Sequence, residues 1–337
     1  MVTRKDVAKK AGVSTATVSN VLEKRLPVSD KVVERVMSAV RELNYIPNRT
    51  ARSLSLGRSN NIGIIVSEFT NPFSMEIVRH IESYAAGRGF MVTIFDMRER
   101  DKDDAYRYLR DRQFDAIINF SFNIYSKKLL NGFCNIGTKM INFTDVPTLS
   151  LMHDYYKAME DAMRKLHELG HKKVGYISTM DKERWLVDER GKCFIDNREK
   201  YGFEANDDYL IFNDDYSRDS NEIGYSGCKK LFENKRAITA LFVTNDLAAM
   251  GAIRALKDMG LRCPENVSVI GCDNITISEL FVPSISTISF DKEAFGTSMA
   301  EKIIDWILNG VDYAGKVYNF ETRFIARESI APLNCKE

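Results

Sequence analysis

Apolar residues return at helical spacing along the first part of the chain. Val7, Ala8 and Ala11 fall on one side of a short helix, which Thr3 caps while Asp6 brings a carboxylate to its N-terminal amides. Gly12 supplies the permissive backbone for a turn, and Ser14 caps a second helix with Val18, Val21 and Leu22 as its inward stripe. Ser29 or Asp30 caps a third, whose apolar positions are Val32, Val33, Val36, Val40 and Leu43. On the second helix Thr15, Ala16, Ser19 and Asn20 point away from the stripe. Small or hydrogen-bonding side chains there suit base edges in a major groove, and the layout is that of a helix-turn-helix. The same spacing also fits a pair of short amphipathic helices that binds nothing. Pro47 prevents the third helix from continuing, Asn48 can cap a helix of about two turns, and Gly57 with Ser59, Asn60 and Asn61 closes a linker.

From Ile62 the pattern changes to alternating strands and helices. Apolar runs at 62–66, 91–95, 116–120 and 139–143 alternate with helical stretches at about 74–88, 101–112 and 126–132. The rhythm resumes with strands near 173–178, 209–211, 239–243 and 267–270, then 285–289 and 317–322. Two successive sets of strand–helix repeats predict two parallel-sheet subdomains, with any ligand at the carboxyl ends of the strands.

Charge sharpens this division. The net charge of the 337 residues is +1, but residues 1–60 carry 12 Lys+Arg against 5 Asp+Glu, a net of +7, and the rest a net of −6. A basic head on an acidic body is what a phosphate-binding module on a separate ligand-binding body shows. The opening residues are too charged for a signal peptide, and no apolar run reaches a membrane span. The six cysteines are scattered without a CxxC pair, the usage of a reduced, cytoplasmic protein.

The stretch DVAKKAGVSTATVSNVL (6–22) matches DVAxxAGVSxxTVSxVL almost throughout, and YIPNRTARSL (45–54) supplies YxPNxxARSL behind it. With these two linked motifs the chain resembles the lactose-repressor (LacI/GalR) family of bacterial transcription regulators, and TRFIARESIAP (322–332) extends the likeness to the end of the body. The resemblance implies an N-terminal all-α helix-turn-helix domain (1–46), a hinge (47–60) and an α/β periplasmic-binding-protein-like body of two parallel-sheet lobes (61–337). The N-lobe would span about 61–158 and 290–318, the C-lobe about 159–289 and 319–333.

On the same basis Thr15, Ala16, Thr17 and Asn20 face the operator, with Asn48, Arg52, Leu54 and Ser55 from the hinge. Leu54 is the apolar wedge that kinks the duplex at the minor groove. Arg49 and Thr50 depart from the small or apolar residues usual in the hinge. For the cleft the resemblance gives Phe73 of Asn71-Pro72-Phe73, Asp154, Arg190 and Phe194 (with Cys193 where the family has glycine), Asn245, and Asp273 of Gly271-Cys272-Asp273-Asn274. Asn245 is expected to face the ligand and Asp246 to cap the following helix, as Asp154 can cap the helix it precedes. Phe73 and Pro72 can equally just open a helix, and Arg190 can equally be a surface residue.

The expected protein is a homodimeric repressor on a pseudo-palindromic operator, released by a sugar or sugar derivative. A purine-type corepressor, a protein partner and, more remotely, a sugar-binding transport receptor are the alternatives. No cofactor, metal, membrane contact or catalysis is expected. His167 and His171 straddle a helix end at Gly170, Ser226-x-x-Lys229 lacks companion motifs, and Gly87-Arg88-Gly89 precedes a strand rather than following one.

Overall fold

Asp6 starts the first helix, accepting the Thr3 N–H at 2.8 Å and the Thr3 hydroxyl at 2.7 Å. This helix, α1 (Arg4–Ala11), stops at Gly12, whose φ of +63° is the left-handed value glycine takes without strain. α2 (Thr15–Glu23) follows after Ser14, whose Oγ accepts the Thr17 N–H at 3.0 Å. Ser29 holds the cap position of α3 (Asp30–Glu42) without a side-chain bond. Val7, Ala11, Val18, Val36 and Ala39 are buried together, and Tyr45, read above as part of the linker motif, closes the same core.

The computed structural model describes residues 2–23, 26–46, 57–66, 68–96, 107, 114–120, 138–141, 149–233 and 237–333. The chain separates into Met1–Ser59 and Asn60–Glu337. The hinge positions 47–56 and nearly all of the helices expected at 101–112 and 126–132 lie outside the described residues.

The body holds two four-stranded parallel sheets. The first consists of β1 (Asn61–Val66), β2 (Met91–Asp96), β3 (Ala116–Asn119) and β4 (Lys139–Ile141) in the order β2-β1-β3-β4. Ile62, Ile64, Ile65 and Val66 are wholly buried, as a central parallel strand covered on both faces requires. α4 (Pro72–Gly87) begins with proline at its first position, and Asn71 Oδ1 accepts the Phe73 N–H at 3.0 Å.

The second lobe is built from α5 (Tyr156–Glu168), β6 (Val174–Ile177), α6 (Lys182–Val187), α7 (Glu189–Asn197), β7 (Leu210–Ile211), α8 (Ser220–Glu233), β8 (Ala240–Val243), α9 (Asp246–Asp258), β9 (Ser268–Ile270) and α10 (Thr276–Leu280). Its strand order is β7-β6-β8-β9. α5 and α7 bury Met163, Leu166 and Phe194 on one face of this sheet, while α8 and α9 bury Leu231, Ala252 and Leu256 on the other.

Among the described residues, three segments join the lobes. β5 (Ser150–Asp154), which the sequence pattern did not reveal, pairs in parallel with β11 (Val317–Glu321), from Ser150 with Val317 to Asp154 with Glu321. β10 (Thr287–Ser289) pairs antiparallel with β12 (Arg323–Ile325) and leads into α11 (Lys292–Asn309), which packs against α4. Leu151, Phe290 and Phe320 join the core of the first lobe, whereas Ala158, Ile288 and Phe324 join that of the second.

Candidate DNA-reading helix and effector cleft

On α2 Thr15 and Ala16 are exposed and Thr17 and Asn20 half-buried, so the reading face is open within its own unit. Ser19 is held instead: its hydroxyl donates to the Thr15 carbonyl at 3.0 Å and accepts from Arg4 Nη1 at 2.8 Å. Asn48, Arg52, Leu54 and Ser55 fall outside the described residues.

In both sheets the strand order reverses beside a central strand, where open parallel sheets place ligands. Phe73 lies half-buried beyond β1, edge-on to Phe290 with ring centroids 5.9 Å apart. Arg190, 8% exposed, is gripped by Asp188 through Nε at 2.8 Å and Nη2 at 2.9 Å, while Nη1 donates to the Thr244 carbonyl at 3.0 Å. Burial pushes the Asp188 carboxyl up, but the guanidinium and the Arg190 and Gly191 amides outweigh it and hold the group below the ordinary range. Arg190 is raised in return, against its own burial. Its guanidinium carbon sits 5.0 Å from the Tyr155 ring centroid, and burial raises the Tyr155 phenol well above its usual value.

Asp273 is 6% exposed, with a backbone φ of +105° that a non-glycine residue adopts only under constraint. The constraint is visible: Asp273 N–H donates to the Ile288 carbonyl at 2.9 Å, and Asn274 is tied to Ser289 and Arg327 through its side chain. Burial, aided by the neighbouring Asp246 carboxylate, pushes Asp273 up to about 8. In its protonated form it can donate a hydrogen bond to a ligand. His153 lies close by, its ring centroid 3.9 Å from that of Phe290 and 4.3 Å from that of Phe295, with Nε2 buried and unpartnered. Burial and then the Arg190 charge lower its pKa to about 3.

Several expected roles change. Phe194 is a core ring, 2% exposed among Tyr176, Phe203 and Phe242, because its helix turns it toward the sheet rather than the cleft. Asn245, not Asp246, caps α9: its Oδ1 accepts the Ala248 N–H at 2.8 Å. Asp246 is wholly buried instead, accepting from Thr287 Oγ1 at 2.7 Å and the Ile275 N–H at 3.0 Å. Asp154 is exposed and accepts the Tyr156 N–H at 3.2 Å. His167 contacts the Tyr201 carbonyl and His171 contacts Thr239 and the Ala331 carbonyl, so the two do not converge.

Asp188, Glu68 and His153 were not singled out from the sequence. The Asp-x-Arg spacing at 188–190 was the available signal for the first; a lone Glu and a lone His carry none.

Among known proteins, residues 3–48 match the lacI family of bacterial regulatory proteins and residues 163–330 a periplasmic binding protein-like domain. The HTH-type transcriptional repressor PurR of Proteus mirabilis (strain HI4320) is 30% identical over 98% of this chain and 97% of its own length. The chain belongs to the LacI family. The PurR of Aliivibrio salmonicida (strain LFI1238) is likewise 30% identical, over 99% of this chain and 100% of its own. The lac repressor dimer bound to operator and the anti-inducer ONPF shares the fold, with a TM-score of 0.80 and 23% identity over 98% of this chain and 99% of that one. This LacI-family member is a DNA-binding, ligand-responsive transcriptional repressor. No helix among its described residues is long and apolar enough to cross a membrane.

Proposed function

We propose that this repressor binds a pseudo-palindromic operator as a homodimer through α2, with Thr15, Ala16, Thr17 and Asn20 at the base edges and Leu54 as the wedge. The effector is a small uncharged molecule held between Phe73, Tyr155, Arg190 and Asp273. The observation that carries the effector class is the pairing inside the cleft: Arg190 is held by Asp188 through two hydrogen bonds, and Asp273 is buried. Such a lining offers rings and hydrogen bonds rather than net charge.

Two effector types meet this description. Likeness over nearly the whole chain to repressors named PurR favours a purine-type corepressor. The sugar-type inducer is supported by a neighbour solved as a cellobiose complex, with a TM-score of 0.70 and 24% identity over 98% of this chain and 100% of that one. A thermal-shift panel of purine bases, nucleosides, sugars and sugar phosphates separates them. A compound at ~100 times its dissociation constant adds roughly 2.7 kcal/mol of stability. A hit confined to purines selects the first type and one confined to uncharged sugars the second. A response to sugar phosphates alone overturns the uncharged class.

A further inference from the structure

Glu68 lies just beyond β1 in the first lobe, yet its carboxylate is bonded to the second. It is 9% exposed. Oε2 accepts the Ser220 hydroxyl at 2.6 Å and Oε1 the Ser220 N–H at 3.2 Å, at the first residue of α8. Ser220 Oγ in turn accepts from Asn245 Nδ2 at 3.2 Å, and Asn245 is itself fixed as the cap of α9. On its own side Glu68 receives Asn71 Nδ2 at 3.4 Å, from the cap of α4. A carboxylate of one lobe is thus fastened to the amide end of a helix in the other, through a relay joining the starts of three helices.

Free amides at a helix N-terminus favour an anion, through both hydrogen bonding and the helix dipole. Here the anion is part of the protein. We propose that Glu68 is a tethered occupant of its own cleft, docking on α8 so that the lobes close without an effector and anionic effector groups are kept out of that corner.

An external anion must displace a carboxylate whose tether gives it a local concentration on the order of mM. Two cations of the cleft are already engaged. Arg190 is held by Asp188, and Lys292 by Glu76 and the Asn274 carbonyl. The exclusion of anions rests on the effector reading above; lobe closure does not, since it is measured with no effector present.

Small-angle scattering on the full chain tests this, with acetate as the free carboxylate and sodium chloride at matched ionic strength as control. Wild type is expected to keep one radius of gyration in both salts. Glu68→Ala should be larger in both salts, since acetate can refill the vacated amides but has no covalent link to the first lobe. Ser220→Ala should also be larger in both, since it removes the hydroxyl that Glu68 accepts. Glu68→Gln preserves shape and acceptor but not charge, and should open part-way; it decides the matter if Glu68→Ala does not fold. A Glu68→Ala protein with the wild-type radius in chloride, or one that free acetate closes as fully as the tethered carboxylate does, overturns the proposal. Opening of Glu68→Ala alongside a silent effector panel would remove the effector reading and leave the latch.

Discussion

Replacing Gly224 by alanine should drive α8 and α9 apart. The two helices meet backbone to backbone: a Cβ at Gly224 would lie 1.9 Å from the Ala248 carbonyl oxygen, and one at Gly251 would lie 2.0 Å from that of Asn221. Real Cβ contacts begin near 3.0 Å, so the helices must separate by about 1 Å, and neither obstacle is a side chain that can rotate away. Alanine gains about 1 kcal/mol of helix propensity. Overpacking against fixed backbone costs about 3 kcal/mol or more, so the net change is unfavourable.

The obstacles also lie in the site. Ala248 supplies the N–H that Asn245 caps, and Asn221 follows Ser220, so parting the helices stretches the 3.2 Å bond between Asn245 and Ser220. A net loss of roughly 2–3 kcal/mol lowers the melting temperature by about 4–12 °C in a domain of this size. Calorimetry of Gly224→Ala, Gly251→Ala and the double variant measures it. The double variant should cost less than the two singles together, because one separation relieves both clashes. A Gly224→Ala protein melting within about 2 °C of wild type would refute the argument.

Three further predictions follow from the cleft. Asp188→Ala strands the Arg190 guanidinium in the interior and should destabilise by about 3–5 kcal/mol in a urea titration, whereas Asp188→Glu should recover part of the loss. His153 has a folded pKa of about 3 against the ordinary value of 6.5, so the unfolded chain binds the extra proton between those values and this residue's stabilising share is lost as pH falls through that window. His153→Phe should flatten that acid limb of the stability curve, and an unchanged limb would contradict the buried neutral imidazole. Asp273 has the opposite sign: its folded pKa of about 8 exceeds the ordinary value of 3.8, so its contribution is present at low pH and is lost as pH rises from about 4 to about 8. Asp273→Asn should therefore gain in melting temperature relative to wild type as pH rises from about 4 to about 8, and hold a constant difference above that; a difference that stays constant between about pH 4 and 8 would count against the raised pKa.

The fold was legible wherever one periodicity ran uninterrupted. The caps at Thr3 and Ser14, the stripe of Val18, Val21 and Leu22, and the buried run of β1 all came from local chemistry that tertiary context did not override. β5 escaped because its Ser150-Leu-Met-His-Asp154 sequence is short and mixed in polarity, and what makes it a strand is the ladder with β11, 167 positions away in sequence. The cleft was legible in residue types but not in duties. Asn245 and Asp246 are adjacent and both can cap a helix; only the position of Thr287 in the fold decides which is buried. Glu68 could not be anticipated, since its partner Ser220 is 152 residues distant and in the other lobe.

The pairing of β5 with β11 has a mechanical consequence. The strands cross the lobe boundary side by side, and Thr322 Oγ1 donates to the Asp154 carbonyl where both leave the ladder. Two pivots joined at the same height are coaxial: neither backbone can swivel or slide without the other. Of the ways two bodies might move about flexible tethers, such a spine leaves mainly rotation about a single axis and suppresses twist and shear. Whatever occupies the cleft, its effect is passed on as one angle.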